Sequence, residues 1–89
     1  MPPKLTVGFL GAGKMATALA KGFIRAELLS PKDVLASDIN PSACKSFSKE
    51  TEARTTQSNA EVARFASTLI LSVKPAQVPE VLAEIRNQG

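Results

Sequence analysis

The sequence has 89 residues, enough for one domain but too few for a cofactor domain and a substrate domain together. Its apolar content of 44% and charged content of 21% are typical of a folded domain and argue against a disordered chain. It contains no His, Trp or Tyr and one Cys, which excludes imidazole acid–base chemistry, Cys/His metal sites and intrachain disulfides. We therefore expect neither a catalytic residue nor a metal ligand here.

The formal charge of +3 comes from 11 basic and 8 acidic residues that are scattered along the chain. A nucleic-acid-binding surface would normally add a dense basic face or stacking aromatic rings, so no nucleic-acid partner is expected. No apolar stretch approaches the about 18 residues of a membrane span, and the first residues lack a signal-peptide core. We expect a soluble, cytoplasmic protein with no membrane partner, and a mitochondrial location stays open.

Short apolar runs alternate with helical patterns along the chain, and no linker divides it. The predicted strands are Leu5 to Leu10, Val34 to Ser37, Arg54 to Gln57 and Thr68 to Val73. The predicted helices begin after Gly13, at Asn40-Pro41, at Ser58 and at Val78. This order predicts an α/β fold: a partial Rossmann-like parallel sheet, βαβαβαβα, with helices on both faces and right-handed crossovers.

A GxGxxA motif, residues 11–16, lies where the first strand ends and the first helix begins. Gly11 allows a tight turn, Gly13 lets backbone amides approach a pyrophosphate, and Ala16 permits close packing of helix and strand. The helix N-terminus adds unpaired amides and partial positive charge. The motif therefore predicts a dinucleotide site, with a glycine-rich turn that binds nothing as the alternative.

Asp38 closes the second predicted strand, where a carboxylate can accept hydrogen bonds from the hydroxyls of an adenosine ribose. A 2′-phosphate would be repelled there, so this residue favours NAD (NADH) over NADP (NADPH). The alternative is that Asp38 only caps the helix that begins at Asn40-Pro41.

The sequence Ser72-Val73-Lys74-Pro75 ends the fourth predicted strand, at the sheet edge where open α/β folds bind their ligands. Pro75 favours an extended conformation at Lys74, so this segment can line a cofactor groove. The alternative is a simple stop between a strand and a helix.

Three segments together, residues 7–16, residues 18–23 and residues 72–75, resemble the N-terminal part of pyrroline-5-carboxylate reductases. The resemblance spans essentially the whole chain and implies reduction of 1-pyrroline-5-carboxylate to proline by hydride transfer from NADPH or NADH. It implies cofactor contacts at Leu10, Gly11, Ala12, Gly13, Lys14, Met15, Asp38, Asn59, Ser72, Val73, Lys74 and Pro75.

The resemblance also implies that residues 1–89 form an incomplete N-terminal dinucleotide-binding domain. The family's helical C-terminal domain, which builds the dimer and binds the cyclic imine, has no counterpart in this sequence. We therefore expect a homo-oligomer for a full-length member and no reductase activity from these residues alone. The alternatives are part of another imine or β-hydroxyacid reductase, and a non-catalytic nucleotide-binding module.

Overall fold

The structure, a computed structural model, describes residues 5–72 and 78–86. The strands are β1 (Val7–Leu10), β2 (Val34–Ser37), β3 (Arg54–Thr56) and β4 (Thr68–Leu71). The helices are α1 (Lys14–Arg25), α2 (Pro41–Thr51), α3 (Asn59–Phe65) and α4 (Val78–Arg86), with a short 3-10 helix at Pro31–Asp33. The predicted alternation of strands and helices is confirmed.

All pairs of described strands are parallel, and the strand order is β3-β2-β1-β4. Val7 of β1 is aligned with Val34 of β2 on one side and with Thr68 of β4 on the other. The four residues of β1 are all buried, as expected for a central strand covered on both faces. The order places the carboxyl ends of β1 and β2 side by side, which is where the predicted site lies.

Helices cover both faces of the sheet, as predicted. On one face, α1 and α2 enclose a core in which the rings of Phe9 and Phe47 lie 6.0 Å apart. The small side chains of Ala16 and Ala20 are fully buried there, so α1 packs closely on the sheet. On the other face, a smaller cluster joins α3 and α4 to the sheet: Leu10, Leu35, Val62 and Val81.

Two helices begin at the residues that the sequence indicated. The Asn40 side chain accepts a hydrogen bond from the Ser42 N–H at 2.9 Å, and Pro41 occupies the first helical position. At the start of α3, the Ser58 hydroxyl accepts a hydrogen bond from the Glu61 N–H at 3.1 Å. These caps satisfy amides that the helices themselves leave unpaired.

The first, third and last strands are shorter than predicted, and β3 ends at Thr56, one residue before the predicted Gln57. β1 begins at Val7 because the Thr6 N–H donates to the Ser67 hydroxyl at 3.0 Å instead of joining the sheet ladder. β4 ends at Leu71 and forms the edge of the described sheet, with Leu69 39% and Leu71 43% exposed. Of the described helices, none is long and apolar enough to cross a membrane.

Candidate dinucleotide-binding site

The glycine loop, residues 11–13, connects β1 to α1 at the carboxyl edge of the sheet. Gly11 has a φ of 112°, a backbone conformation that side-chain-bearing residues rarely adopt, so this position requires glycine. Its N–H donates to the Ser37 carbonyl at 2.7 Å and so joins the start of the loop to the end of β2. The predicted tight turn at Gly11 is present.

Gly13 has a different reason to be glycine. It precedes the first turn of α1 with an ordinary φ of −79°, and a Cβ atom added to it would meet none of the described heavy atoms within 4 Å. Neither packing nor backbone conformation therefore requires glycine here. A bare backbone at this position fits the close approach of a bound group from outside.

The N-terminus of α1 is open to such a group. No side chain caps it, and its first turn contains no acidic residue. Lys14 and Met15, the first two helical residues, are both exposed. Unpaired amides, the helix dipole and a lysine at one exposed helix end form a site suited to an anion such as a pyrophosphate.

The Asp38 carboxylate binds two backbone amides. Its Oδ2 accepts a hydrogen bond from the Ala12 N–H at 3.0 Å, and its Oδ1 accepts one from the Asn40 N–H at 2.9 Å. The alternative that Asp38 caps α2 is wrong, because Asn40 caps that helix. A carboxylate has about four lone-pair positions, so two remain with which Asp38 can accept ribose hydroxyls as predicted.

Asn59 and Ser72 also lie at the carboxyl edge. The Ser37 hydroxyl donates to Asn59 Oδ1, which links the end of β2 to the start of α3. The Ser72 N–H donates to the Leu10 carbonyl at 2.9 Å, so Ser72 follows β4 directly beside the end of β1. Val73, Lys74 and Pro75 lie outside the described residues. Sequence reasoning missed Ser37, whose only signal is its position as the last residue of β2.

The predicted run of contacts from Leu10 to Met15 divides into two halves. Leu10 and Ala12 are buried, at 1% and 2% exposure, and the amides of Gly11 and Ala12 already have partners in the protein. The exposed half begins at Gly13. Leu10, Gly11 and Ala12 thus shape the turn, whereas the residues after them face outward.

An open cleft of about 550 Å³ lies between α1 and α2. Ala12, Gly13 and Lys14 line it from the loop side. Farther along, Lys21 Nζ donates to Glu50 Oε2 at 2.9 Å, and this hydrogen bond and the lysine's charge lower the pKa of the Glu50 carboxyl. Within the described ranges, no group of His, Cys, Asp or Glu side chains could hold a metal ion.

A parallel sheet with a glycine loop before an uncapped helix defines a dinucleotide-binding α/β domain. The family model described as "NADP oxidoreductase coenzyme F420-dependent" matches residues 6–89, and the chain belongs to this family. A curated relative, the pyrroline-5-carboxylate reductase of Methanosarcina acetivorans, is 37% identical over 82 residues. That match covers 92% of this chain and 30% of the relative, so the chain spans about a third of the relative's length.

Solved structures of similar proteins have the same fold as this chain. A pyrroline-5-carboxylate reductase from Coxiella burnetii superposes with a TM-score of 0.86 at 27% identity, covering 96% of this chain and 31% of that one. The Plasmodium falciparum pyrroline carboxylate reductase with NADP bound superposes with a TM-score of 0.77 at 27% identity. The match covers 94% of this chain and 29% of that one. The 3-hydroxyisobutyrate dehydrogenase of Salmonella typhimurium superposes with a TM-score of 0.68 at 32% identity. The match covers 90% of this chain and 27% of that one.

Proposed function

We propose that this chain is the dinucleotide-binding part of a pyrroline-5-carboxylate reductase, which reduces 1-pyrroline-5-carboxylate to proline. The observation that carries the proposal is Gly13, which the protein's own packing does not require and which directly precedes a helix that no side chain caps. The named relative from Methanosarcina acetivorans and the Coxiella burnetii structure supply the reaction class.

Each part of the site has a distinct role in holding the cofactor. The amides of Gly13, Lys14 and Met15 bind the pyrophosphate, and the Lys14 ammonium adds charge beside it. Asp38 and Asn59 flank the adenosine ribose at the ends of β2 and β3. We assign the nicotinamide side of the groove to Ser72 and to Val73, Lys74 and Pro75, the last three on the family resemblance alone.

The bound dinucleotide supplies the hydride, and the protein's task is to position its reactive end against the imine carbon. The protonated imine is already electrophilic, so an acid–base side chain is not needed from these residues. We expect the imine to bind to the part of the relatives that this chain does not span. The 89 residues alone should therefore bind cofactor without turning over substrate.

We favour NADPH as the cofactor. The family description and the NADP-bound Plasmodium falciparum structure support it. Asp38 argues for NADH because of its charge, but the two amides that donate to its carboxylate partly offset that charge. Both reduced dinucleotides should bind, and the ratio of their dissociation constants is the quantity to measure.

A β-hydroxyacid dehydrogenase is the second candidate, favoured by the similarity to 3-hydroxyisobutyrate dehydrogenase. The two functions share the cofactor half and differ in substrate. Since both candidates place the cofactor at the same loop, binding of the dinucleotide does not distinguish them.

Two chimeras test the proposal. These 89 residues would replace the matched part of the Methanosarcina acetivorans reductase in one and of the Salmonella typhimurium 3-hydroxyisobutyrate dehydrogenase in the other, and turnover would be followed with each host enzyme's own substrate. We expect the reductase chimera to reduce the imine, to lose this activity when Gly13→Val is introduced, and to be far more active than the dehydrogenase chimera. A folded reductase chimera that binds NADPH but does not reduce the imine would contradict the assignment.

A further inference from the structure

We infer that Asp38 is a positioning residue that fixes the glycine loop in the conformation that binds pyrophosphate, a role separate from any contact with the ribose. The inference rests on the proposed function, because it concerns the same cofactor site. Its basis is the 3.0 Å hydrogen bond from the Ala12 N–H to Asp38 Oδ2, which joins residues 26 positions apart.

The glycine loop needs an external restraint. It contains two glycines in three residues, and glycine loses more conformational entropy on folding than any other residue. The Gly11 and Ala12 amides are both held by the end of β2, the first by the Ser37 carbonyl at 2.7 Å and the second by Asp38. On the far side, the Gly13 carbonyl accepts hydrogen bonds from the Thr17 N–H and hydroxyl.

Asp38 is itself held firmly enough to act as an anchor. Its N–H donates to the Thr56 carbonyl at 3.2 Å, and its carbonyl accepts from the Cys44 thiol at 3.4 Å. Its second carboxylate oxygen accepts the Asn40 N–H at 2.9 Å. Contacts with β3, α2 and the residues before α2 therefore fix the carboxylate that holds Ala12.

Neighbouring amides of the loop therefore have different partners. Ala12 donates inward to Asp38, so the amides that follow it are the ones directed to a ligand. If the carboxylate is lost, the loop becomes free to move, and binding of any pyrophosphate weakens whether or not a ribose is attached. A direct ribose contact alone would leave binding of inorganic pyrophosphate unchanged.

The experiment compares the unsubstituted chain with Asp38→Asn, in which an NH2 donor replaces one of the two oxygens that accept the Ala12 and Asn40 N–H groups. Nuclear magnetic resonance would follow amide hydrogen exchange at Ala12, Gly13 and Phe9, and titration with inorganic pyrophosphate. The matched control is Asp33→Asn at the other end of β2, where Asp33 Oδ2 accepts the Ser30 N–H at 3.1 Å. This control removes the same negative charge from a carboxylate that binds a backbone amide away from the loop.

We expect Ala12 to exchange more slowly than Gly13 in the unsubstituted chain, a result that needs no variant. Asp38→Asn should speed Ala12 exchange and weaken pyrophosphate binding, each by about tenfold, while Phe9 exchange stays unchanged. Unchanged pyrophosphate affinity, or Ala12 exchange that rises only in step with Phe9, would overturn the inference. Failure of the unsubstituted chain to bind NADPH or NADH would instead contradict the proposed function, and Ala12 exchange would still decide whether Asp38 holds the loop.

Discussion

Val62 Cγ1 of α3 lies 2.5 Å from the position that a Cβ atom on Gly8 of β1 would occupy. The methyl group of Ala66 lies 2.8 Å from the same point. Both distances are shorter than side-chain contacts allow, so α3 can cover the centre of the sheet only because residue 8 is glycine. This contact supports the sheet beneath the site from the face opposite α1.

Gly8→Ala should therefore destabilise the fold by about 1 to 3 kcal/mol, because the added methyl group has no room. Gly22→Ala is the matched control: a Cβ atom there meets no described heavy atom within 4 Å, and alanine favours the interior of α1. Denaturant unfolding should show a gain of about 0.5 to 1 kcal/mol for the control. Equal stabilities of the two variants would refute this description of the β1–α3 contact.

Glu52 ends α2 in the left-handed conformation, with a φ of 64°. Glycine adopts this conformation without the strain that a side chain imposes, so Glu52→Gly should raise stability by up to about 1 kcal/mol. A gain of that size corresponds to a rise of about 4 to 8 °C in Tm. Lys49→Gly, in the same helix, should lower Tm instead, and a fall in Tm for Glu52→Gly would contradict the strain argument.

The ion pair between Lys21 and Glu50 should give a small pH-dependent contribution to stability. Lys21 lowers the Glu50 pKa in the folded state, so the contribution is present above the unfolded pKa of about 4.3 and disappears as the pH falls through the folded value. Glu50→Gln should be slightly less stable than the unsubstituted chain at neutral pH and equally stable in strong acid. In a Lys21→Gln background the same substitution should have a smaller effect, because only the charge of Lys49 still lowers the Glu50 pKa. A stability difference that persists in strong acid would exclude this origin.

Asp38→Ser tests the contact with the ribose. The ratio of the dissociation constants of NADPH and NADH should shift toward NADPH by about tenfold, because a charge next to the 2′-phosphate has been removed. A looser glycine loop would weaken the binding of both cofactors alike, so this effect cancels in the ratio of their dissociation constants. An unchanged ratio would mean that Asp38 contacts only the amides of Ala12 and Asn40.

Most of the correct predictions rest on patterns among residues that are close together in the sequence. The caps Asn40 and Ser58 and the strand Val34–Ser37 follow from neighbouring residues, and the structure has them where they were expected. The hydrogen bond between Ala12 and Asp38 could not be predicted, because it depends on how β1 and β2 align in the sheet. The same holds for Gly8, whose requirement comes from Val62, a residue far along the chain.

We propose that a dinucleotide binds at the exposed backbone of Gly13. Calorimetric titration of NADPH into the unsubstituted chain and into Gly13→Val measures this binding, with Gly22→Ala as the control that should keep full affinity. A Cβ atom at residue 13 meets no described heavy atom within 4 Å, so we expect the variant to stay folded while its side chain blocks the pyrophosphate. We expect binding by the unsubstituted chain and at least a roughly tenfold loss in Gly13→Val. Equal affinities in the two folded proteins would show that the dinucleotide does not bind at Gly13.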